Sequence, residues 1–80
     1  MEEKINEIID TLIELLEQKK FSQLKALINE MMPADLALLF EELDNKDAVI
    51  VFRLLSKVLS AETFAYLDTD RQQMLIQAIS

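Results

Sequence analysis

Residues 48–55 read Ala48-Val49-Ile50-Val51-Phe52-Arg53-Leu54-Leu55, and the fold class turns on whether they form a strand or a helix. Taken alone, this β-branched and aromatic run suits a buried strand. Two observations point to helix instead. Continuation through Arg53-Leu54-Leu55 makes the segment longer than an average strand, and no other stretch of the chain offers a partner strand. A helix apolar nearly all round belongs at the centre of a domain, buried on several sides. The glycine count agrees, because the 80-residue chain contains none, where roughly five or six would be usual. Turns needing φ > 0 normally recruit Gly, so a tight β-hairpin protein is disfavoured, and GxGxxG and Walker-type phosphate loops are excluded.

Working outward, residues of about 3–20 form an amphipathic helix. Ile5, Ile8, Ile9, Leu12, Ile13, Leu15 and Leu16 recur at helical spacing, with acids at the start and Lys19-Lys20 at the end. Ser22 reads as the N-cap of a second helix running to about Met31, with Phe21 stapled to Ala26. Leu24, Leu27, Ile28 and Met31 form its inner face. Pro33 marks position N1 of a third helix, whose buried stripe is Leu36, Ala37, Leu39, Phe40 and Leu43. Asp44 or Asn45 caps the central helix. Ser60 is expected to cap a short fifth helix from Ala61 to Leu67. Thr69 with Gln72 reads as a capping box for a sixth, Asp70 to Ile79, with Met74, Leu75, Ala78 and Ile79 inward.

A repeat is visible at an offset of 24. Ala37, Phe40, Leu43, Asp44 and Ser56 recur as Ala61, Phe64, Leu67, Asp68 and Ser80. Repeated helix pairs that stack on their neighbours build a superhelical array. The expectation is therefore an all-α domain over 1–80, of about six short antiparallel helices stacked as an α-solenoid, with repeat units of about 22–43, 45–67 and 69–80. Phe40 and Phe64 should both be buried in successive layers, with Phe21 and Phe52 also in the core and Tyr66 half-exposed. Met31-Met32 should form a core joint between helices 2 and 3. The last unit lacks a polar capping helix, so the chain reads as the front of a larger region.

Composition narrows the chemistry. With no Cys and no His, zinc-thiolate and imidazole sites, thiol redox chemistry and His-based triads are impossible, and the chain reads as no enzyme. Net charge is −7, from 15 acids and 8 bases spread evenly over both halves. That sign repels phosphate backbones, which argues against nucleic-acid binding. The longest apolar runs are five residues, far short of the roughly 20 of a membrane span.

Glu3, Glu7, Asp10, Glu14 and Glu17 line one face of helix 1. Such a row is ordinarily a solvated face; its sharper reading is an acidic surface that divalent cations would screen. Glu41, Glu42, Asp44, Asp68, Asp70 and Glu62 are the other candidates for hard-cation contact. Mg²⁺ binds through one or two carboxylates while keeping its waters, and so leaves almost no motif.

The string Met32-Pro33-Ala34-Asp35-Leu36-Ala37-Leu38-Leu39-Phe40-Glu41-Glu42-Leu43 resembles the P-A-D-[IL]-A segment of the cytosolic N-terminal domain of MgtE-type magnesium transporters. Val51-Phe52-Arg53-Leu54-Leu55-Ser56-Lys57 and Ser60-Ala61-Glu62-Thr63-Phe64-Ala65-Tyr66-Leu67-Asp68 resemble two further segments of that family. Helix 1 and Phe21–Met31 are similar to its opening. Ser56 departs from the family, which often has Pro there. The resemblance implies a right-handed superhelix on the cytoplasmic side of a membrane transporter, which would be a homodimer. It also implies Mg²⁺-dependent docking onto a CBS domain pair of the same or a paired chain, which gates the channel. Glu62 would be one ligand of the shared Mg²⁺, and binding by these 80 residues alone would be weak or absent. The competing resemblance is to the flagellar motor switch protein FliG, an interaction scaffold, and a third reading is a generic helical adaptor. Asp35 and the Phe52–Lys57 continuation favour the transporter.

Overall fold

The computed structural model describes residues 2–79, with side chains from Lys4 to Ile79. Six helices follow one another: α1 (Glu2–Glu17), α2 (Phe21–Ile28), α3 (Pro33–Glu41), α4 (Asn45–Leu54), α5 (Lys57–Phe64) and α6 (Thr69–Ile79). Of the described residues 79% are helical, and none of them forms a strand. The stretch from Ala48 to Leu54 is helix, as its length and lack of a partner predicted, and Leu55 closes it in extended backbone.

Helix starts keep a strict register. α2, α4 and α6 begin at 21, 45 and 69, and α3 and α5 at 33 and 57, so each step is 24 residues. α1 packs on α2 and α3 on α5, while α4 sits between α2 and α6. The radius of gyration is 11.7 Å, close to the value of about 12 Å for a compact chain of this length. The helix pairs thus wrap a shared core rather than string out as a rod. That core runs from Ile9, Leu12 and Leu16 through Leu24, Ile28, Leu36, Leu39 and Phe40 to Ala48, Val51 and Leu55. Phe52 bridges two layers, with ring centroids 6.3 Å from Phe40 and 6.2 Å from Phe64.

Several local expectations need correction. α5 starts four residues earlier than Ser60 predicted, because Ser56 is the true cap: its side chain accepts from the Leu59 N–H at 3.2 Å. Ser60 lies inside the helix and donates to the Lys57 carbonyl at 3.0 Å. Two serines four residues apart present the same signal, and the extended backbone at Ser56 decides between them. Likewise Asp68, not Thr69, caps α6 by accepting from the Arg71 N–H at 2.8 Å. Gln72 reaches back to the Phe64 carbonyl instead of closing a box. α2 begins at Phe21 with Lys20 at the cap position and no side-chain cap bond, so Ser22 is already helical. Phe21 is 37% exposed and Met32 67% exposed, neither being core. Leu27 and Ile79, expected inward, are 43% and 45% exposed, and Ala78 is exposed.

The chain does need one left-handed residue. Lys19 has φ 58, and the Lys20 and Lys19 N–H groups bond the Leu15 and Leu16 carbonyls at 2.9 and 3.1 Å. This is a Schellman ending for α1, made without the Gly that usually occupies it.

Candidate functional site

Glu62 lies in the sixth position of α5, well past the first turn. Its placement follows from the Ser56 cap, which turns the helix so that Thr63 points into the core and Glu62 into solvent. Val58, one turn earlier, is 68% exposed, and Tyr66, just beyond the helix end, is 62% exposed. The three residues are spaced four apart and share a stripe. The carboxylate therefore stands on an outward ridge between two large exposed apolar side chains. Thr63 behind it is fully buried, and its hydroxyl has no hydrogen-bond partner.

The other acidic candidates divide by duty. Asp44 accepts from the Asp47 N–H at 2.8 Å and caps α4, and Asp68 does the same for α6. Glu41 and Glu42 are exposed at the end of α3, and Asp70 is exposed in the first turn of α6. On α1, Glu7, Asp10, Glu14 and Glu17 are exposed, with Glu14 accepting from the Gln18 side chain at 3.3 Å; the Glu3 side chain lies outside the described residues. Among the described residues no group of three or more acidic side chains converges as a cation cage. Glu62 by itself fits the one-carboxylate, water-rich habit of Mg²⁺, and any ion there would draw its remaining ligands from water or a second surface.

Two polar ties were not legible in the sequence. The Arg71 guanidinium donates to the Leu43 carbonyl at 2.8 Å and the Asp44 carbonyl at 3.5 Å, pinning α6 to the preceding α3–α4 turn. Beside it a cleft of about 340 Å³ opens between Phe40, Glu41, Tyr66 and Leu67. Asn29 donates to the Lys25 and Leu54 carbonyls at 2.8 and 3.0 Å and accepts from the Ser56 N–H at 2.8 Å. A Pro at position 56 would lack that N–H. The only available signal was spacing: Asn29 and Arg53 are 24 apart, and Arg53 repeats the tie by donating to the Ala78 carbonyl at 3.2 Å.

Taken together, these helices make an acidic all-helical module whose conspicuous surface residues are ridge carboxylates and exposed apolar side chains. Residues 31–80 match the MgtE intracellular N domain, and the chain belongs to that family. This is the intracellular domain of magnesium transporters and not an enzyme family. The match takes in α3 to α6 and Glu62, while α1 and α2 precede it. No curated protein and no solved structure matches the chain. No helix of the described residues is long and apolar enough to cross a membrane.

Proposed function

We propose that this is the magnesium-sensing N domain of a transporter, docking in the presence of Mg²⁺ onto a neighbouring CBS domain pair of the same or a paired chain and thereby gating the channel. Glu62 supplies one carboxylate to an ion shared across that contact. The observation that carries this reading is the family match over residues 31–80, with Glu62 held outward on α5 within it. Electrostatics supports it. A domain of net charge −7 approaches a second acidic surface only when counter-charge is supplied, and a hard dication supplies it with oxygen ligands from both sides. A shared ion stabilises only the docked arrangement, so it shifts the population by its differential affinity. The same reading puts the chain on the cytoplasmic side of a membrane, as part of a homodimeric transporter. The flagellar-switch and generic-adaptor readings lose ground to the match with the transporter family.

The test is limited proteolysis of the complete cytosolic region across a magnesium titration. Glu62→Gln should raise the magnesium concentration needed for protection, while the isolated domain keeps its fold. Protection at an unchanged concentration would reduce Glu62 to an ordinary solvated helix acid.

A further inference from the structure

Charge is even between the two halves of the chain and uneven along the fold. Residues 18–29 hold Lys19, Lys20 and Lys25, three of the chain's eight bases, and none of its fifteen acids. They span the α1–α2 turn and α2, the one helix of the six without an acid. All three lysines are exposed, and α2 buries only Leu24 and Ile28. Lys19, Lys20 and Phe21 border an open cleft of about 490 Å³ together with Ser22 and Gln23. Lys25 follows Phe21 by four residues and so lies on the same side of α2. An aromatic ring that is 37% exposed is thus flanked by lysines on both sides.

We propose that this corner rests on the anionic headgroups of a lipid bilayer, with Lys19, Lys20 and Lys25 meeting the phosphates and Phe21 entering the acyl boundary. Charge complementarity carries the proposal. Anionic leaflets attract basic clusters, and their interfacial layer takes up an aromatic ring. Screening limits how far the acids oppose this. The Debye length is about 8 Å at physiological ionic strength, in a molecule of 31 × 26 × 22 Å. By the helix rise of about 1.5 Å per residue, Glu7 stands roughly 15 Å back from the end of α1. A flat surface touching the corner therefore feels the lysines more than the net charge of −7. Glu17, in the last turn of α1, is the neighbouring acid that opposes contact. A nucleic-acid chain would instead follow the protein surface over many phosphates and run on into the carboxylates. Each lysine near an anionic leaflet multiplies partitioning roughly fivefold. Three give weak contact in free solution and effective contact where a bilayer is already close. Only that closeness is taken from the transporter reading.

The chain has no Cys and no Trp, so Ser80→Cys gives a single attachment point for a maleimide lipid and Phe21→Trp a single tryptophan. The doubly substituted chain is coupled to vesicles of phosphatidylcholine, with or without phosphatidylglycerol, at physiological ionic strength and without magnesium. On the mixed vesicles the emission should shift to the blue and be quenched by brominated acyl chains. On phosphatidylcholine alone it should do neither. Lys19→Gln, Lys20→Gln and Lys25→Gln together should cut the ratio of surface-bound to free domain roughly a hundredfold. Helix content should stay the same, because all three side chains are exposed. Glu17→Gln should raise the ratio, and Lys4→Gln, at the far end of α1, should leave it alone. Equal quenching on both kinds of vesicle, or quenching that survives the loss of the three lysines, would overturn the proposal. So would the same blue shift from inorganic phosphate, which would mean a small-anion site, or from an RNA oligonucleotide, which would mean a nucleic-acid surface. Magnesium and Glu62 have no part in these readouts, so the docking reading and this contact fail separately.

Discussion

The α3–α4 and α5–α6 pairs are near-copies in register and unlike in burial. Both second helices start behind an Asp that accepts an N–H three residues on at 2.8 Å, Asp44 in one and Asp68 in the other. Both are tied across a 25-residue separation to a helix carbonyl, Asn29 to Leu54 and Arg53 to Ala78. Yet Phe40 is 1% exposed where Phe64 is half-buried, and Ala37 is half-buried where Ala61 is exposed. Caps and spacing are local properties written into each unit. Burial is set by what packs on the outside, and α3–α4 has neighbours on both sides while α5–α6 has one.

That difference makes its largest prediction at the two phenylalanines. Phe40→Ala should cost about 3–5 kcal/mol, the range for a fully buried ring, which in so small a domain leaves little native state. Phe64→Ala should cost clearly less, about half as much, because its ring already meets solvent. Denaturant midpoints of both variants check this. Equal losses would mean that the two layers are equivalent after all, contrary to the expectation drawn from burial.

Next come the two ties. Asn29→Ala removes two donors and an acceptor from a half-buried junction, stranding the Ser56 N–H and the Leu54 carbonyl, and should cost about 1–3 kcal/mol. Arg53→Ala loses one exposed bond to the Ala78 carbonyl and should cost under about 1 kcal/mol. Thermal melts of the pair should rank them in that order, and a reversed order would show that the junction around Asn29 is not where the first repeat is fastened.

Much of this was readable from residue order. The helical state of Ala48–Leu54 followed from length and the lack of a partner strand, Pro33 and Asp44 marked their helix starts, and the 24-residue repeat appeared as identities before it appeared as helix starts. The failures share a cause. Ser56 and Ser60, or Asp68 and Thr69, are equally good caps as residue types, and only the backbone ahead of each helix selects one. The same shift moved Glu62 from a first turn to mid-helix, though its exposure was legible from the polar side of the pattern. The Phe64 layer was overestimated because a repeat predicts matching positions, and burial needs matching neighbours. Arg71 and its carbonyl partners, 27 and 28 residues away, carried no signal at all.

Thr63 sharpens the comparison in the opposite sense. It stands at the Leu39 position, fully buried, with a hydroxyl that meets no partner. Val has nearly the same shape without the polar group, so Thr63→Val should stabilise the domain by about 1 kcal/mol. An unchanged or lowered midpoint would mean that the hydroxyl has a partner in solution, water included.

The smallest effect belongs to the junction that departs from the other two. At positions 20, 44 and 68 the chain has Lys, Asp and Asp, and only the Lys lacks a side-chain cap bond. The turn there is made by the Schellman hydrogen bonds around Lys19 instead, at φ 58. A residue with a Cβ costs about 1–2 kcal/mol in that left-handed region, whereas Gly enters it freely but loses more backbone freedom on folding, about 0.5–1 kcal/mol. The two terms oppose each other, and the steric one is larger. Lys19→Gly should therefore stabilise by about 0.5 kcal/mol. Lys20→Gly, at φ −87, gains no steric relief and keeps the entropic cost, so it should destabilise by a similar amount. Because the two lysines are adjacent and both exposed, the pair cancels the effect of losing one positive charge. Midpoints that move in opposite directions establish that the first junction is held by backbone geometry where the later two are held by aspartate caps; midpoints that move together would place Lys19 outside the left-handed region in solution.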